Sequence, residues 1–289
     1  MDENQRLAER FEEHRDHLRS VAYRMLGSRA EADDAVQEAW LRLSRVDAGE
    51  IQNLRGWLTT VTARVCLNML RARRSRREDA LDVVRLPDPE VSPPDDEVVR
   101  ADSVGLALMV VLDTMEPAER LAFVLHDMFG VPFEEIAPIV ERTPAAARQL
   151  ASRGRKRVRS AELPTPDRDL ARQRQVVDAF FRAARGGEFD TLVALLDPDV
   201  LLRADAGAWR PALTVVVHGA SNVAGQAVRF AMPHAELRPV VVNGAAGVVV
   251  TVRGRALSIM CFTVSRDRIT EIHALADPDR VAACLAKGG

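Results

Sequence analysis

Between Leu7 and Arg77 apolar residues recur every three to four positions, the period of a helix with one buried face. In "SRAEADDAVQEAWLRLSRV" the apolar stripe is Ala32, Ala35, Val36, Ala39, Trp40 and Leu43, and Ser28 with Glu31 has the spacing of a capping box at its start. "GWLTTVTARVCLNMLRARRSRRE" is apolar around most of its circumference as far as Leu70, which predicts a helix covered by neighbours on several sides. Its exception is a narrow polar row of Thr60, Arg64, Asn68 and Arg71, with Trp57 above it. Helical period returns near Val104 and runs to about Ala161. There Phe133, Ile136, Ala137 and Val140 share one face, with Pro132 suited to the first helical position. Pro138 lies inside this helix, where proline costs roughly 3 kcal/mol, so a kink or an early end is expected. After the break Glu141-Arg142-Thr143 a second helix begins, with Thr143 as N-cap and Pro144 next.

The pattern changes after "ELPTPD". One amphipathic helix gives way to Val- and Ile-rich runs, "LRPVVVNGAAGVVVTVRG" and "ALSIMCFTVSRDRITEIHAL", punctuated by the turn sequences NGAAG, RG and SRDR. Earlier, "LDVVRLPDPEVSPPDDEVVRADS" holds four prolines among clustered acids, the composition of an extended, flexible linker. The expected fold class is multi-domain: two all-α modules, the second a helix-turn-helix, followed by an α+β module. The expected boundaries are residues 1–80, an acidic Pro-rich linker over 81–103, residues 104–161, and residues 169–289.

At 289 residues the chain exceeds one typical domain. The formal net charge of −2 hides an uneven distribution, with Arg-rich tracts near 71–77 and 142–159 and an acidic stretch between them. The three cysteines, Cys66, Cys261 and Cys284, are too scattered for a disulfide framework or a zinc site and fit buried thiols in a reducing cytosol. No signal peptide opens the chain, and charges interrupt every apolar run before membrane-spanning length. The expectation is a soluble cytoplasmic protein without metal, cofactor or membrane segment.

The helix pair over 133–160 carries the clearest chemistry. On the second helix Ala147, Leu150, Ala151 and Val158 lie on one side. Arg148, Gln149, Ser152, Arg155, Lys156 and Arg159 point the other way, flanked by Arg153 and Arg157. A helix-turn-helix has this form: one helix packs, and the next offers cations to phosphates or guanine edges in a groove. The plainer alternative is a solvated basic face on a bundle helix. A buried helix ending in Arg71, Arg73, Arg74, Arg76 and Arg77, with Trp57 near its polar row, suits backbone contact plus base stacking, or else a structural helix with a basic end. The row Asp34, Gln37, Glu38 and Leu41 is acidic yet carries a leucine into water, which fits a protein-docking face or a solvated face with one stray Leu.

Three segments, "AYRMLGSRAEADDAVQEAWLRL", "GWLTTVTARVCLNMLRARRSRRED" and "MEPAERLAFVLHDMFGVPFEEIAPIVERTPAAARQLASRGRKRVR", resemble domains two and four of extracytoplasmic-function sigma factors in order and spacing. The resemblance implies a bacterial promoter-specificity subunit of RNA polymerase. It implies that Asp33, Asp34, Gln37, Glu38 and Leu41 dock on the β′ clamp helices, with the β flap as a further polymerase contact. By the same resemblance Trp57, Arg64, Asn68, Arg71, Arg73, Arg74, Arg76 and Arg77 read or melt the −10 promoter element. Arg142, Arg148, Gln149, Ser152, Arg153, Arg155, Lys156 and Arg159 read the −35 element. The last 120 or so residues resemble a SnoaL-like, nuclear-transport-factor-like α+β cone with a curved, mainly antiparallel sheet, which one subgroup of these sigma factors carries. "RLPDPEV" resembles that subgroup's linker motif, and "ADPDRV" its Asn-Pro-Asp-Lys-Leu motif. Where the subgroup has Asp-Gly-Gly-Gly-Arg, this chain reads DAGAW at Asp205–Trp209. The resemblance implies that Asp205, Gly207, Trp209, Asp277, Pro278 and Asp279 make a regulatory contact with the linker and domain two.

Related cones include isomerases and cyclases, so His218, His234, His273, Asp199 and Asp205 are acid–base candidates, with His273 expected to face the cone's interior. The only tyrosine, Tyr23, lies in the first module. The reading preferred is a non-catalytic regulatory domain, with a small-molecule ligand in its pocket as a further partner. The rivals are a helix-turn-helix regulator with a ligand-sensing domain acting without polymerase, and a SnoaL-like isomerase or cyclase.

Overall fold

Three helices open the chain: α1 (Glu3–Leu26), α2 (Arg29–Leu43) and α3 (Leu54–Arg77). The computed structural model describes residues 3–46, 51–77, 85–94, 105–164, 166–208 and 210–286. α1 buries Phe11, Leu18, Val21 and Met25, and α2 buries Ala32, Ala35 and Ala39, whose small side chains let the two helices approach closely. Phe11 and Trp40 meet with ring centroids 5.1 Å apart. α3 buries Leu58, Ala63, Cys66 and Leu67, the all-round burial its sequence predicts. The capping box is not formed. Ser28 sits at the N-cap of α2 without a side-chain cap bond, and the Glu31 carboxylate is taken by the Arg73 guanidinium.

α4 (Leu106–Asp113) and α5 (Pro117–Phe123) follow, α5 running into a widened turn over Val124–Met128, then α6 (Phe133–Val140) and α7 (Pro144–Ser160). Pro132 is the N-cap of α6 rather than its first helical residue. Pro138 is accommodated on the exposed side of this short helix, which stops at Glu141 in the left-handed region (φ 57°). Thr143 caps α7 as expected, its Oγ1 accepting from the Ala146 amide at 3.2 Å, an interaction of roughly 1 kcal/mol. Gly154 sets how closely α5 and α7 cross: a Cβ there would lie 2.8 Å from Cβ of Phe123.

Contacts divide the chain into two compact units, Met1–Asp82 with Met109–Glu162, and Val83–Leu108 with Leu163–Gly289. Within the first, α3 packs on α5 and α6, so both helical modules share one unit.

The second unit is built on a seven-stranded mixed sheet in the order β1-β4-β5-β6-β7-β2-β3. Its strands are β1 (Val91–Ser92), β2 (Leu196–Asp205), β3 (Val215–His218), β4 (Glu236–Val242), β5 (Ala245–Val252), β6 (Arg255–Ser265) and β7 (Arg268–Leu275). β2 and β7 are parallel and the other pairs antiparallel. Two-residue turns at Asn243-Gly244, Arg253-Gly254 and Arg266-Asp267 join β4 through β7, each with positive φ at both positions, the turn whose twist matches antiparallel strands. Helices α8 (Leu170–Gly186), α9 (Phe189–Leu195) and α10 (Ala220–Arg229) cover one face, and α11 (Pro278–Ala286) packs on β6. Phe180, Phe181 and Phe262 meet edge to face at 5.6–5.7 Å between α8 and the sheet, so the centre of the cone is filled by rings.

His273 does not face that interior. Ile272 joins the core under the helices, whereas His273 pairs with Cys261 and Arg203 across neighbouring strands on the other face, 1% exposed. Burial, and then the charge of Arg203, pushes its pKa down to about 3. The imidazole is neutral when folded but titrates near 6.5 when unfolded. Its stabilising effect is therefore complete above about pH 6.5 and is lost as the pH falls toward 3. Urea unfolding between about pH 7 and about pH 5 is expected to lose up to ~1.4 kcal/mol more per pH unit in the wild type than in His273→Gln.

Candidate nucleic-acid interface

The N-cap at Thr143 and the buried Ala147, Ala151 and Gly154 fix which side of α7 faces the protein. The opposite side presents Arg148, Gln149, Ser152, Arg153, Lys156 and Arg159 to solvent, with Arg142 exposed in the turn before it. Arg148 lies over the Phe133 ring, its Cζ 5.3 Å from the centroid, which aims the guanidinium outward from a fixed base. Arg155 is half-buried and its Nη1 donates to both Asp127 carboxylate oxygens at 2.9 and 3.0 Å, and Arg157 reaches Glu119 at 3.1 Å.

On α3 the row expected from periodicity stands in water: Arg64, Asn68 and Arg71 are exposed, and Trp57 is partly buried at its upper end. Arg73 lies elsewhere. Its Nη1 donates to the Leu26 carbonyl at 3.0 Å, its other arm binds Glu31, and Asp113 stands 4.0 Å away. This arginine serves the packing of α1, α2 and α3, because nine residues carry it half a turn round the helix from Arg64. Arg74 is exposed and pairs with Glu116. The side chains of Arg76 and Arg77 lie outside the described residues.

The acidic row of α2 is also presented as expected. Asp34, Gln37 and Leu41 are exposed, Leu41 at 40%, and Val46 beyond the helix reaches 45%. Asp33 accepts from Arg19 at 2.7 Å and Glu38 from Arg42 at 2.9 Å, so part of the row is held in place by cations of its own module. Between α1 and α2 lies an open groove of about 310 Å³, lined by Phe11, Arg15, Arg19, Asp33, Gln37 and Trp40.

In the second unit residues 85–94 are bound along the sheet. Val91 and Ser92 add a strand to β4, and Asn243 in the β4–β5 turn accepts from the Glu90 amide at 3.0 Å while its own amide donates to the Glu90 carbonyl. Leu86, Pro87, Asp88 and Pro89 are buried. The Asp205 carboxylate accepts from the Leu86 amide at 2.8 Å and from Arg280 at 2.6 Å. Arg280 also donates to Asp88 at 2.7 Å and to the Leu86 carbonyl. Burial opposes its charge, but Asp88 and Asp205 outweigh this and hold its pKa above the ordinary arginine value. Asp205 further accepts from the Gly207 amide at 3.0 Å, and Gly207 has φ +75° beside Asp277, where a side chain would strike the carboxylate. Asp277 in turn caps α11 by accepting from the amides of Asp279 and Arg280 at 3.1 Å.

Of the contact residues expected from the resemblance, Asp205 touches the linker directly. Gly207 and Asp277 shape the loops behind it, Asp279 is exposed, and Trp209 lies outside the described residues. Sequence reading missed Arg280, Asp88 and Asn243, although the first two lie inside the quoted "ADPDRV" and "RLPDPEV". The acid–base candidates are dispersed. Asp205 is engaged by Leu86 and Arg280, His273 is 3.5 Å from Arg203, and His218, His234 and Asp199 are exposed. Among the described residues no group of three or more His, Cys, Asp or Glu could hold a metal ion, and no helix is long and apolar enough to cross a membrane. Replacing Arg280 by Ala removes a largely buried cation facing two carboxylates, so the Leu86 amide is expected to exchange hydrogen at least tenfold faster. Unchanged protection over 85–92 would show that Arg280 does not hold the linker.

The family description of sigma-70 region 2 matches residues 10–76 and that of sigma-70 region 4 matches residues 105–158. The probable ECF RNA polymerase sigma factor SigI of Mycobacterium tuberculosis is 35% identical over 281 residues, covering 96% of this chain and 95% of that protein. ECF RNA polymerase sigma factor SigJ of the same organism is 38% identical over 292 residues, covering 93% and 91%. The crystal structure of M. tuberculosis SigJ matches with a TM-score of 0.72 at 36% identity, covering 95% of this chain and 98% of that one. With two sigma modules matched in order, and relatives similar from end to end, the chain belongs to the extracytoplasmic-function sigma factors of RNA polymerase.

Proposed function

We propose that this sigma factor reads a two-part promoter with α3 and α7, docks on core polymerase through α2, and is tuned in cis by the cone that clasps its linker. The carrying observation is the pair of cationic faces exposed on different helical modules, Arg64-Asn68-Arg71 on α3 and Arg148 through Arg159 on α7. Two short helical faces contact only short DNA segments each, so joint recognition needs their spacing set by something larger than either. In this reading α3 takes the −10 element, with Trp57 available for stacking on an unpaired base, and α7 takes the −35 element. Asp34, Gln37 and Leu41, beside the α1–α2 groove, form the face offered to the β′ clamp helices. The clasp of Asp205 and Arg280 on Leu86 and Asp88 takes part of the tether between the modules out of free motion.

The DNA half is tested with Arg155→Glu and Lys156→Glu together. Promoter retention by the reconstituted holoenzyme is expected to fall at least tenfold and the salt slope to lose about two counterion equivalents. Co-purification with core polymerase should not change. Full promoter retention by that variant would overturn the assignment of α7.

The regulatory half is tested by run-off transcription on templates whose −35 to −10 spacing is varied one base pair at a time. The full chain is expected to prefer a narrow range, and a chain ending at Ser160 to accept a wider one, because the clasp is gone. Identical spacing profiles would remove the cone from promoter selection.

A further inference from the structure

Residues 86–94 lie on the second unit in the way an extended peptide lies on its receptor, with ties at alternate positions. The Leu86 amide donates to Asp205 at 2.8 Å and its carbonyl accepts from Arg280. The Asp88 carboxylate accepts from Arg280 at 2.7 Å. Glu90 donates its amide to Asn243 at 3.0 Å, and its carbonyl accepts from the Asn243 amide at 2.9 Å. Ser92 pairs with Val241 in the sheet, and the Pro94 carbonyl accepts from Arg174 at 2.8 Å. Where a tie uses an amide, at Leu86 and Glu90, the residue is not proline. Pro87 and Pro89 stand between the tied residues, where a fixed φ keeps the chain extended at little entropic cost. Leu86 and Val91, 2% and 9% exposed, add apolar anchors.

We infer that the cone is a reader of extended peptides of the pattern Leu-Pro-Asp-Pro-x-Val, and that a segment of another protein carrying this pattern takes the linker's place. The effect of such a partner on promoter choice rests on the regulatory role proposed above for the clasp.

Two observations carry this beyond a contact within one chain. First, the ties are complete within residues 86–94, and that segment is joined to the cone's main body, Leu163 onward, only through the chain from 95 to 162. A connection of that length gives an effective concentration of about millimolar or below, so a free segment of ordinary affinity competes with it. Second, the linker is an imperfect occupant. The Ser92 hydroxyl is buried without a hydrogen-bond partner, and so is Nε of Arg174 beside the tie to Pro94. Buried polar atoms left unpaired weaken a contact. A segment with valine in place of Ser92 avoids one of these penalties and suits the strand pairing. The acid is the selective position. Arg280 lies between Asp88 and Asp205, whose side chains are 11% and 2% exposed, and an occupant without the acid leaves it one carboxylate short.

The test uses the full chain and a fluorescein-labelled peptide of residues 85–94 carrying Ser92→Val. Leu86→Ala with Asp88→Ala in the chain loosens its own linker and leaves the cone's side of the site intact. By fluorescence anisotropy this variant is expected to bind the peptide, and the wild type about tenfold more weakly, because its linker competes. Asp88→Asn in the peptide, or Arg280→Ala added to the chain, should each weaken binding about tenfold. In the wild type, unlabelled peptide at about millimolar concentration should speed hydrogen exchange in the chain's own segment 85–92 severalfold, the Ser92→Val change separating the two by mass.

Unchanged exchange in the wild type would overturn the inference, whatever the variant does, and so would binding indifferent to Asp88→Asn and Arg280→Ala. A wild type that dimerises on concentration, with Arg280→Ala monomeric, would give the site to a second copy's linker and overturn a foreign partner. The regulatory role fails separately: identical spacing profiles in run-off transcription would remove the promoter effect and leave the peptide site standing.

Discussion

An arginine meant for a phosphate must be held against water or a carboxylate before the phosphate arrives. That constraint organises the first unit. α3 and α7 together bring a dense set of guanidinium groups into one compact body, where like charges at close range repel. The protein meets this in two ways. Arg64, Arg71, Arg148, Arg153 and Arg159 stand in solvent, where repulsion is screened. Arg73, Arg74, Arg155 and Arg157 are each given a carboxylate. In the function proposed above, carboxylates placed this way stand where DNA phosphates would, so the charge pattern that pairs these arginines in the free protein would compete with promoter DNA.

The second unit uses the same chemistry for the opposite end. Asp205 is buried and Arg280 largely so, and such an ion pair alone is a weak source of stability. Here the pair is completed by groups from the linker: the Leu86 amide and carbonyl and the Asp88 carboxylate. Without the linker Arg280 would keep one carboxylate and lose two of its three acceptors. The Asp205–Arg280 pair is thus satisfied by backbone and side chain of the chain's own tether, and Asn243 extends the contact through a turn residue whose positive φ the hairpin already requires.

How much of this can be read from the sequence depends on range. Local rules worked where one residue decides the outcome. Thr143 caps α7, the Asn243-Gly244 turn closes a hairpin, and the Arg64-Asn68-Arg71 row follows from helical period alone. The carboxylate half of the capping box at Ser28 is lost because Arg73, far along the chain, takes Glu31. Arg73 itself was grouped with a polybasic tail, though its helical angle already sets it apart from Arg64. His273 was assigned to the wrong face because alternation says that Ile272 and His273 differ, not which of them meets the helices. The clasp was half visible: both motifs that form it stand out in the sequence, yet nothing local says that Arg280 meets Asp88, 192 positions earlier. Pairings of that separation are a property of the fold.

In the function proposed above, the linker clasp acts on one quantity, the effective concentration of each DNA reader at its own promoter element. For two sites joined by a tether, that concentration peaks when the tether matches the span and falls as its free length grows. Fixing residues 85–94 on the cone shortens the free tether without changing any DNA contact. A cone that binds its linker in this way therefore needs no catalytic group and no direct touch on DNA to alter promoter choice. In that reading its influence depends on how firmly Asp205 and Arg280 hold Leu86 and Asp88. Any agent that weakens that grip changes spacing tolerance before it changes affinity for either element. That separates control through a tether from control by covering a binding face, in which affinity for the covered element is lost first.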